Sequence, residues 1–336
     1  MANLLHNPPL SLYVHIPWCV RKCPYCDFNS HAAPGDLPGK EYIEALVADL
    51  ETDLPLVWGR PLQSIYFGGG TPSLFGADLI AQFLTAARAR LAFRPDIEIT
   101  LEANPGTIEH DSFSAYGEAG INRVSLGVQS FDNDLLKRIG RIHGRLEVEQ
   151  CLQSLKTAGI SNFNIDLMFA LPGQGLEQLK SDIELVLAAG PAHISFYQLT
   201  VEPNTEFFAR PPQLPDDETA WDMQQHGLSQ FEAAGYRQYE ISACARADLQ
   251  SRHNMNYWRY GDFLALGAGA HGKISAPADG TVIRYAKHRH PKRYLQGLDS
   301  GDWLAEKRFL SHDELVFEFF LNQLRLKQGV HVDDFS

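Results

Sequence analysis

Positive charge is scarce in this chain, in which 29 lysines and arginines stand against 41 aspartates and glutamates. The net charge of −12 excludes the basic footprint expected of a nucleic-acid-binding protein. Long apolar runs are absent too, since stretches such as Ile183–Ala189 are far too short to cross a bilayer. Residues 1–10 have neither a basic start nor a long apolar segment, so we do not expect a signal peptide. These absences predict a cytoplasmic protein.

Cysteine is also rare, and the five cysteines do not form the pattern of a disulfide framework. Three of them, from Cys19 to Cys26, follow a predicted first strand with the spacing C-x3-C-x2-C. Thiolates are soft ligands that favour zinc or iron–sulfur clusters. A structural zinc site needs four protein ligands, and Cys151 and Cys244 are distant and isolated. Three cysteines would leave one iron of a [4Fe–4S] cluster open for chemistry. A partial zinc site and plain loop cysteines remain the alternatives.

Short apolar runs alternate with amphipathic stretches through the first two hundred residues. The predicted strands are Ser11–Trp18, Ser64–Gly69, Glu98–Asn104, Arg123–Ser130, Asn162–Ala170 and His193–Val201. The predicted helices lie near Lys40–Leu54, Ala77–Phe93, Asp111–Glu118, Arg145–Ala158 and Leu176–Ala189, and several end in Ala-Gly, as helix C-caps do. This alternation predicts an α/β fold with parallel strands, either a partial barrel or an open doubly wound sheet. In both, ligands bind at the carboxyl ends of the strands.

The alternation stops after Val201, where the proline-rich stretch Glu202–Pro215 is typical of a linker. Further helices are predicted at Asp217–Ala234 and Ser311–Lys327, the second opened by a capping box. We therefore predict a barrel domain with an N-terminal cysteine loop at residues 1–205 and a smaller α+β domain at residues 206–336.

Polar groups stand near the carboxyl ends of four consecutive predicted strands. The second strand ends in the glycine loop "YFGGGTPS", and the next three carry Glu102, Gln129 and Asp166. Any one of them alone would usually be a hydrogen-bonded core residue, because an unpaired buried polar group is costly. Four in succession meet where the fold places a ligand, so they predict a binding site.

The stretch Tyr13–Cys19 (YVHIPWC), with the two cysteines after it, resembles the start of radical S-adenosylmethionine (SAM) proteins. More narrowly, it is similar to the oxygen-independent coproporphyrinogen III oxidase family. The resemblance implies a partial (β/α)6 barrel, a [4Fe–4S] cluster and SAM, which one-electron reduction cleaves to methionine and a 5′-deoxyadenosyl radical. It assigns the cluster to Cys19, Cys23 and Cys26 and SAM to Tyr13, Gly69, Gly70, Thr71, Glu102, Gln129, Arg141 and Asp166.

In that family the glycine loop binds the amino group of the methionine moiety, and Gln129 and Asp166 would hold the ribose hydroxyls. Arg141 would pair with the carboxylate, a task that suits its planar guanidinium. Without the resemblance, Arg141 would be read as a solvated arginine at a helix end.

Two features separate the chain from the oxidases and one links it to a relative of theirs. Phe28 stands where the oxidases carry a fourth cysteine, and the first strand begins too early to leave room for their N-terminal arm. The stretch "RHNMNYWRYGDF" resembles the HNxxYW signature of the haem-chaperone branch, HemW. The resemblance implies haem as bound cargo and assigns it to His253, Asn254, Tyr257 and Trp258. The alternative is that these side chains pack the second domain against the barrel.

The sequence thus predicts a haem chaperone that delivers haem to apoproteins such as respiratory enzymes, and that reaches the inner membrane only through such partners. No coproporphyrinogen oxidase activity is expected, whether the chain is an enzyme stays undecided, and a homodimer is left open. The first alternative is an oxygen-independent coproporphyrinogen III dehydrogenase, and the second is a radical SAM enzyme acting on RNA or another small molecule. The family continues into a winged-helix-like portion, and we expect this sequence to end within that portion.

Overall fold

The computed structural model describes residues 7–106 and 112–331. Their strands are β1 (Leu10–Ile16), β2 (Trp18–Cys19), β3 (His31–Ala32), β4 (Leu62–Gly69), β5 (Phe93–Ala103), β6 (Arg123–Gln129), β7 (Phe163–Phe169), β8 (His193–Gln198), β9 (Arg237–Glu240), β10 (Ala243–Ala245), β11 (Asp262–Leu266), β12 (His271–Ala276), β13 (Thr281–Lys287) and β14 (Leu304–Phe309).

The α-helices of the same residues are α1 (Gly39–Asp53), α2 (Ala77–Arg88), α3 (Phe113–Ala119), α4 (Asn133–Arg138), α5 (Arg145–Thr157), α6 (Leu176–Ala189), α7 (Glu206–Ala209), α8 (Asp217–Ala233), α9 (Arg252–Trp258), α10 (Pro291–Leu295), α11 (Gly297–Ser300) and α12 (His312–Gln323). No helix in these ranges is long and apolar enough to span a membrane.

A mixed twelve-stranded sheet runs in the order β14-β13-β12-β11-β1-β4-β5-β6-β7-β8-β10-β9. Its centre is parallel, from β11 and β1 through β4, β5, β6 and β7 to β8. The six predicted strands of the alternating region are all confirmed within this parallel part. In the described residues the two ends of the sheet do not pair with each other, so the barrel is partial.

Apolar side chains on both faces of the parallel strands form the main core. In β6 every residue is buried, as expected of a parallel strand covered by helices on one side and by the barrel interior on the other. Tyr42, Leu46 and Leu50 of α1 are fully buried at helical spacing, and each such side chain stabilises the fold by roughly 1.5–3 kcal/mol.

Two predicted helices are too long. The stretch Ser311–Lys327 is helical only to Gln323. The stretch Ala77–Phe93 is helical only to Arg88, and Phe93 is the first residue of β5 instead. Pro95 favours the strand in this region, because proline lacks the amide hydrogen that a helix needs and disfavours the helical conformation in the residue before it. Two other predictions extend beyond the described residues, at Asp111 and in residues 332–336.

The part of the chain after residue 205 extends the same sheet at both ends. Strands β10 and β9 continue antiparallel from β8, whereas β11 pairs in parallel with β1 and leads to β12, β13 and β14. A buried ion pair joins this part to α1, since Lys287 Nζ lies 2.5 Å from Asp49 Oδ1 and 2.7 Å from Asp53 Oδ2. The boundary at residues 205 and 206 stays a prediction.

Candidate functional site

A cavity of about 290 Å³ opens at the carboxyl ends of the parallel strands, where the sequence predicted a ligand. Ten of the predicted site residues line it: Cys19, Cys23, Cys26, Gly69, Gly70, Thr71, Glu102, Gln129, Arg141 and Asp166. The sequence had placed them on six separate segments, and the fold brings all of them to the walls of the same cavity.

The cysteine loop forms one wall of this cavity. All three thiols are free and partly buried. The Cys26 amide donates a 3.1 Å hydrogen bond to the Cys23 carbonyl and closes a turn between the two cysteines. Burial raises the pKa of the Cys19 and Cys26 thiols, so a cation is needed beside them to stabilise their thiolates. Among the described residues no three His, Cys, Asp or Glu groups converge as ligands of one metal ion. A mononuclear zinc site needs its ligands to converge on one ion, whereas a cluster binds each thiolate at a different iron, so this arrangement favours a cluster.

The glycine loop lies against β2, the short strand that contains Cys19. The Gly70 amide donates to the Ile16 carbonyl and the Thr71 amide to the Trp18 carbonyl, both at 2.7 Å. A Cβ on Gly70 would stand 2.4 Å from the Trp18 oxygen, so only glycine fits there. Gly69 has a φ of 115°, a conformation that other residues rarely adopt. These contacts fix the exposed backbone of the loop beside Cys19.

Glu102 is held in place from two sides. The Tyr66 hydroxyl donates to Glu102 Oε1 at 2.8 Å, and the Gly69 amide donates to Oε2 at 3.1 Å. Burial, together with the nearby charge of Asp166, raises the pKa of Glu102 to about 7, against the lowering effect of those two hydrogen bonds. The carboxylate is thus prepared to accept a positively charged ligand, which would lower this pKa again.

The raised pKa of Glu102 predicts how the substitution Glu102→Gln changes the free energy of unfolding with pH. Because the folded-state pKa lies above the unfolded one, the stability that protonation contributes is present below about pH 4.5 and is lost as the pH rises through 7. We expect the ligand-free variant to be more stable than the wild type at pH 8, by on the order of 1–3 kcal/mol, with little difference at pH 4.5. Urea unfolding at both pH values measures this, with exposed Glu184→Gln as the control.

Gln129 is the last residue of β6, and Asp166 lies in the middle of the neighbouring strand β7. Gln129 has a φ of 69°, unusual for a residue other than glycine, and its Oε1 accepts a 2.7 Å hydrogen bond from Tyr197. Asp166 Oδ1 accepts from Asn164 Nδ2 at 2.7 Å, and burial raises the pKa of Asp166. Both side chains are therefore positioned by partners that point them into the cavity.

Arg141 crosses the cavity floor. Its Nη2 donates to Asn104 Oδ1 and, at 2.6 Å, to the Gly127 carbonyl, while its Nη1 lies 3.6 Å from Cys23 Sγ. Its buried Nε has no hydrogen-bond partner among the described residues. An arginine held by three atoms in the cavity is not the solvated helix-end residue that the sequence alone would favour. Tyr197, in β8, and Asn104, just after β5, also line this cavity. Sequence reasoning missed both because no motif marks either residue.

The predicted haem motif forms α9, which packs against β1 and β4. His253 is buried, and both of its ring nitrogens are engaged: Nδ1 lies 3.0 Å from Ser64 Oγ and Nε2 lies 2.8 Å from the Tyr257 hydroxyl. Its ring stacks on Tyr66 with centroids 4.9 Å apart. Burial lowers the pKa of His253 to about 3, so the imidazole is neutral. In this conformation it offers no free nitrogen to an iron atom.

Of the other motif residues, Trp258 and Asn254 make packing and capping contacts, whereas Tyr257 lines a second cavity. The Arg325 guanidinium lies 4.2 Å from the centroid of the Trp258 ring, and the Asn254 amide is capped by Ser251. Tyr257 instead reaches a cavity of about 440 Å³ that adjoins the first. Its lining is Tyr13, His15, Asp27, Phe28, Asn29, Gly69, Glu102, Tyr257, Gly269, Ala270, His271 and Arg289. Tyr13, predicted as a SAM residue, therefore lines the second cavity and not the first.

Residues 13–186 match the model of the radical SAM superfamily. The chain is 49% identical to "Heme chaperone HemW" of Haemophilus influenzae, over 98% of this chain and 86% of that protein. It is also 49% identical to the protein of the same name from Escherichia coli, over 96% and 84% of the two chains. A mouse protein, "Radical S-adenosyl methionine domain-containing protein 1, mitochondrial", is 35% identical over 95% of this chain and 74% of its own.

The solved structure of coproporphyrinogen III oxidase HemN from Escherichia coli is similar over 95% of this chain and 76% of that one. The TM-score is 0.81 and the sequences are 24% identical, which shows that the two proteins share a fold. Together with the sequence relatives, this similarity covers the whole sheet and the cysteine loop. The chain belongs to the radical SAM superfamily and, within it, to the family of proteins named heme chaperone HemW.

Proposed function

We propose that this protein binds haem and delivers it to apoproteins that require it. The observation that carries the proposal is the 49% identity to relatives named heme chaperone HemW, which extends over 96–98% of the chain and not over the radical SAM region alone. Sequence similarity confined to residues 13–186 would support the binding of a cluster and SAM, but it would not support haem as the cargo.

Membership of the radical SAM superfamily implies a [4Fe–4S] cluster and SAM. The residues around the first cavity fit both groups: three free thiols stand at its wall, Gly69 and Gly70 leave the backbone of the glycine loop uncovered by side chains, and Arg141 has an unpaired buried nitrogen. We propose Cys19, Cys23 and Cys26 as the cluster ligands. The SAM residues that we propose are Tyr13, Gly69, Gly70, Thr71, Glu102, Gln129, Arg141 and Asp166.

When bound together, a reduced cluster and SAM supply a carbon-centred radical. The side chains of this chain would bind and orient the SAM molecule. Arg141 is suited to the methionine carboxylate by its charge and its planar guanidinium. Glu102 is suited to a positively charged group, because its carboxylate is raised in energy by burial until such a partner arrives.

We propose further that the protein has no coproporphyrinogen oxidase activity. Phe28 stands where the oxidases carry a cysteine, and its side chain, 59% exposed, lines both cavities. Respiratory apoproteins are the acceptors we propose, reached in the cytoplasm or at the inner membrane. A turnover assay with coproporphyrinogen III tests the enzyme alternative directly, and measurable decarboxylation would contradict the chaperone assignment.

Haem binding is tested by an anaerobic titration of the cluster-reconstituted protein with ferric haem, followed through the Soret band. We expect saturation near one haem per chain, with a dissociation constant in the micromolar range or below (about −8 kcal/mol or stronger). Serum albumin as a competitor separates specific from adventitious binding. Absorbance that rises linearly with added haem, without saturation, would contradict the proposal.

A further inference from the structure

The second cavity holds a histidine that the haem motif does not contain. His271 is the first residue of β12, lies at the mouth of that cavity and is exposed. Its ring makes no hydrogen bond with any other described residue, in contrast to His253, whose two nitrogens are both within 3.0 Å of a hydroxyl. Iron in haem is bound by an imidazole nitrogen that is free to approach it. His271 meets this requirement and His253 does not.

The neighbours of His271 suit the other parts of a haem molecule. Arg289 is exposed, lines the same cavity and provides a guanidinium for a propionate carboxylate. Phe28 offers an apolar ring on the opposite chain segment, and Tyr257 and Tyr13 add aromatic surface behind it. A planar molecule with an apolar face, carboxylates and a central metal matches this set of groups.

Two hydrogen bonds fix the mouth of the cavity. Asn29 Nδ2 donates to the Ala268 carbonyl at 2.9 Å and to the Arg289 carbonyl at 2.8 Å, so it joins the segment after Phe28 to the segments that carry His271 and Arg289. A Cβ on Gly269 would stand 2.3 Å from this amide nitrogen, and Gly269 has a φ of 79°. The segments around the cavity mouth are therefore held together by the Asn29 side chain before any ligand binds.

We infer that the second cavity is the haem site, with His271 as an axial ligand of the iron, Arg289 as the partner of a propionate and Phe28 as an apolar contact of the macrocycle. The inference rests on the proposed function and names the place where that function is carried out. In this arrangement the motif helix α9 contributes Tyr257 to the lining of the cavity, while its His253 stacks on Tyr66 of β4. The haem would lie beside the cofactor cavity, since Phe28, Asp27, Gly69 and Glu102 line both.

The test compares His271→Ala with the wild type in the full-length, cluster-reconstituted protein titrated anaerobically with ferric haem. We expect the affinity to fall at least about tenfold and the Soret band and electron paramagnetic resonance spin state of the remaining bound haem to change. Millimolar imidazole, added to the variant, is expected to restore the wild-type spectrum. Arg289→Ala is expected to weaken binding without changing the spectrum, because it leaves the iron ligand in place.

Control variants separate this inference from the proposed function. His226→Ala, on α8, removes a histidine from a helix that packs against α6 and is expected to bind haem as the wild type does. If His271→Ala keeps the wild-type affinity and spectrum while the wild type binds haem saturably, the inference is overturned and the proposed function stands. If the wild type itself does not saturate, the proposed function fails, and the site assignment fails with it.

Discussion

Replacing Cys23 with alanine is expected to abolish the iron–sulfur cluster. Iron and acid-labile sulfide should fall from about four atoms of each per reconstituted chain to nearly none, and the visible absorbance of the cluster should disappear. Cys23 stands between the other two thiols in the loop, and its Sγ is the one that Arg141 approaches. Two remaining thiolates would leave two of the four irons without a protein ligand. Iron and sulfide analysis after anaerobic reconstitution measures the effect.

Cys151→Ala is the matched control for the cluster prediction. Cys151 lies in α5, is 3% exposed, and has a pKa raised to about 12 by burial, so it behaves as a small apolar residue. Its replacement removes one thiol and is expected to leave the iron content unchanged at a small cost in stability. Cys23→Ala with full iron and sulfide would contradict the assignment of the loop.

His253→Ala is expected to lower the free energy of unfolding by about 2–4 kcal/mol. The substitution opens a cavity beneath Tyr66 and leaves the hydroxyls of Ser64 and Tyr257 without their imidazole partner. Because Tyr66 donates to Glu102, the loss of its stacking partner should also loosen the first cavity and weaken SAM binding. Urea unfolding and SAM titration measure the two effects.

The pH dependence distinguishes this structural role from direct ligation of haem. Since the pKa of His253 is about 3 in the folded protein and 6.5 when unfolded, its contribution to stability is present above pH 6.5 and is lost as the pH falls from 6.5 towards 3. The wild type should therefore lose stability more steeply than a His253→Phe variant between pH 6.5 and 5, by about 1 kcal/mol per pH unit. Equal slopes would mean that the imidazole is not buried in solution.

The parallel core could be predicted because each of its units carries local signals. The helix Leu176–Ala189 is confirmed to the residue, since Gly190 ends it in a left-handed conformation that the sequence marks with Ala-Gly. The polar residues carried by successive parallel strands could be grouped without knowing any distance, because the carboxyl ends of parallel strands lie at one edge of a sheet. Glu102, Gln129 and Asp166 do line one cavity.

The arrangement of the later residues could not be predicted in the same way. Strand β11 pairs with β1, and no local signal in "DFLAL" tells which of the earlier strands it will join. The environment of His253 depends on Ser64 and Tyr66, which reach it from β4, so its burial could not be predicted from the motif. No role could be assigned to His271 from the sequence alone. Arg289, which lines the same cavity, is separated from it along the chain by β12, a turn and β13.

The pairing of β1 with β11 has a consequence for the order in which the molecule is built. Leu12 stands opposite Leu264, and the Tyr42 hydroxyl bridges the same two segments by donating to the His15 carbonyl and accepting from the Ala268 amide at 2.8 Å. During synthesis the first strand must therefore wait for most of the chain before its second edge is covered. Until then an apolar strand edge beside the cysteine loop is open to wrong partners, including other nascent chains. We expect cluster insertion to follow completion of the polypeptide, because only then is the loop held against a finished sheet.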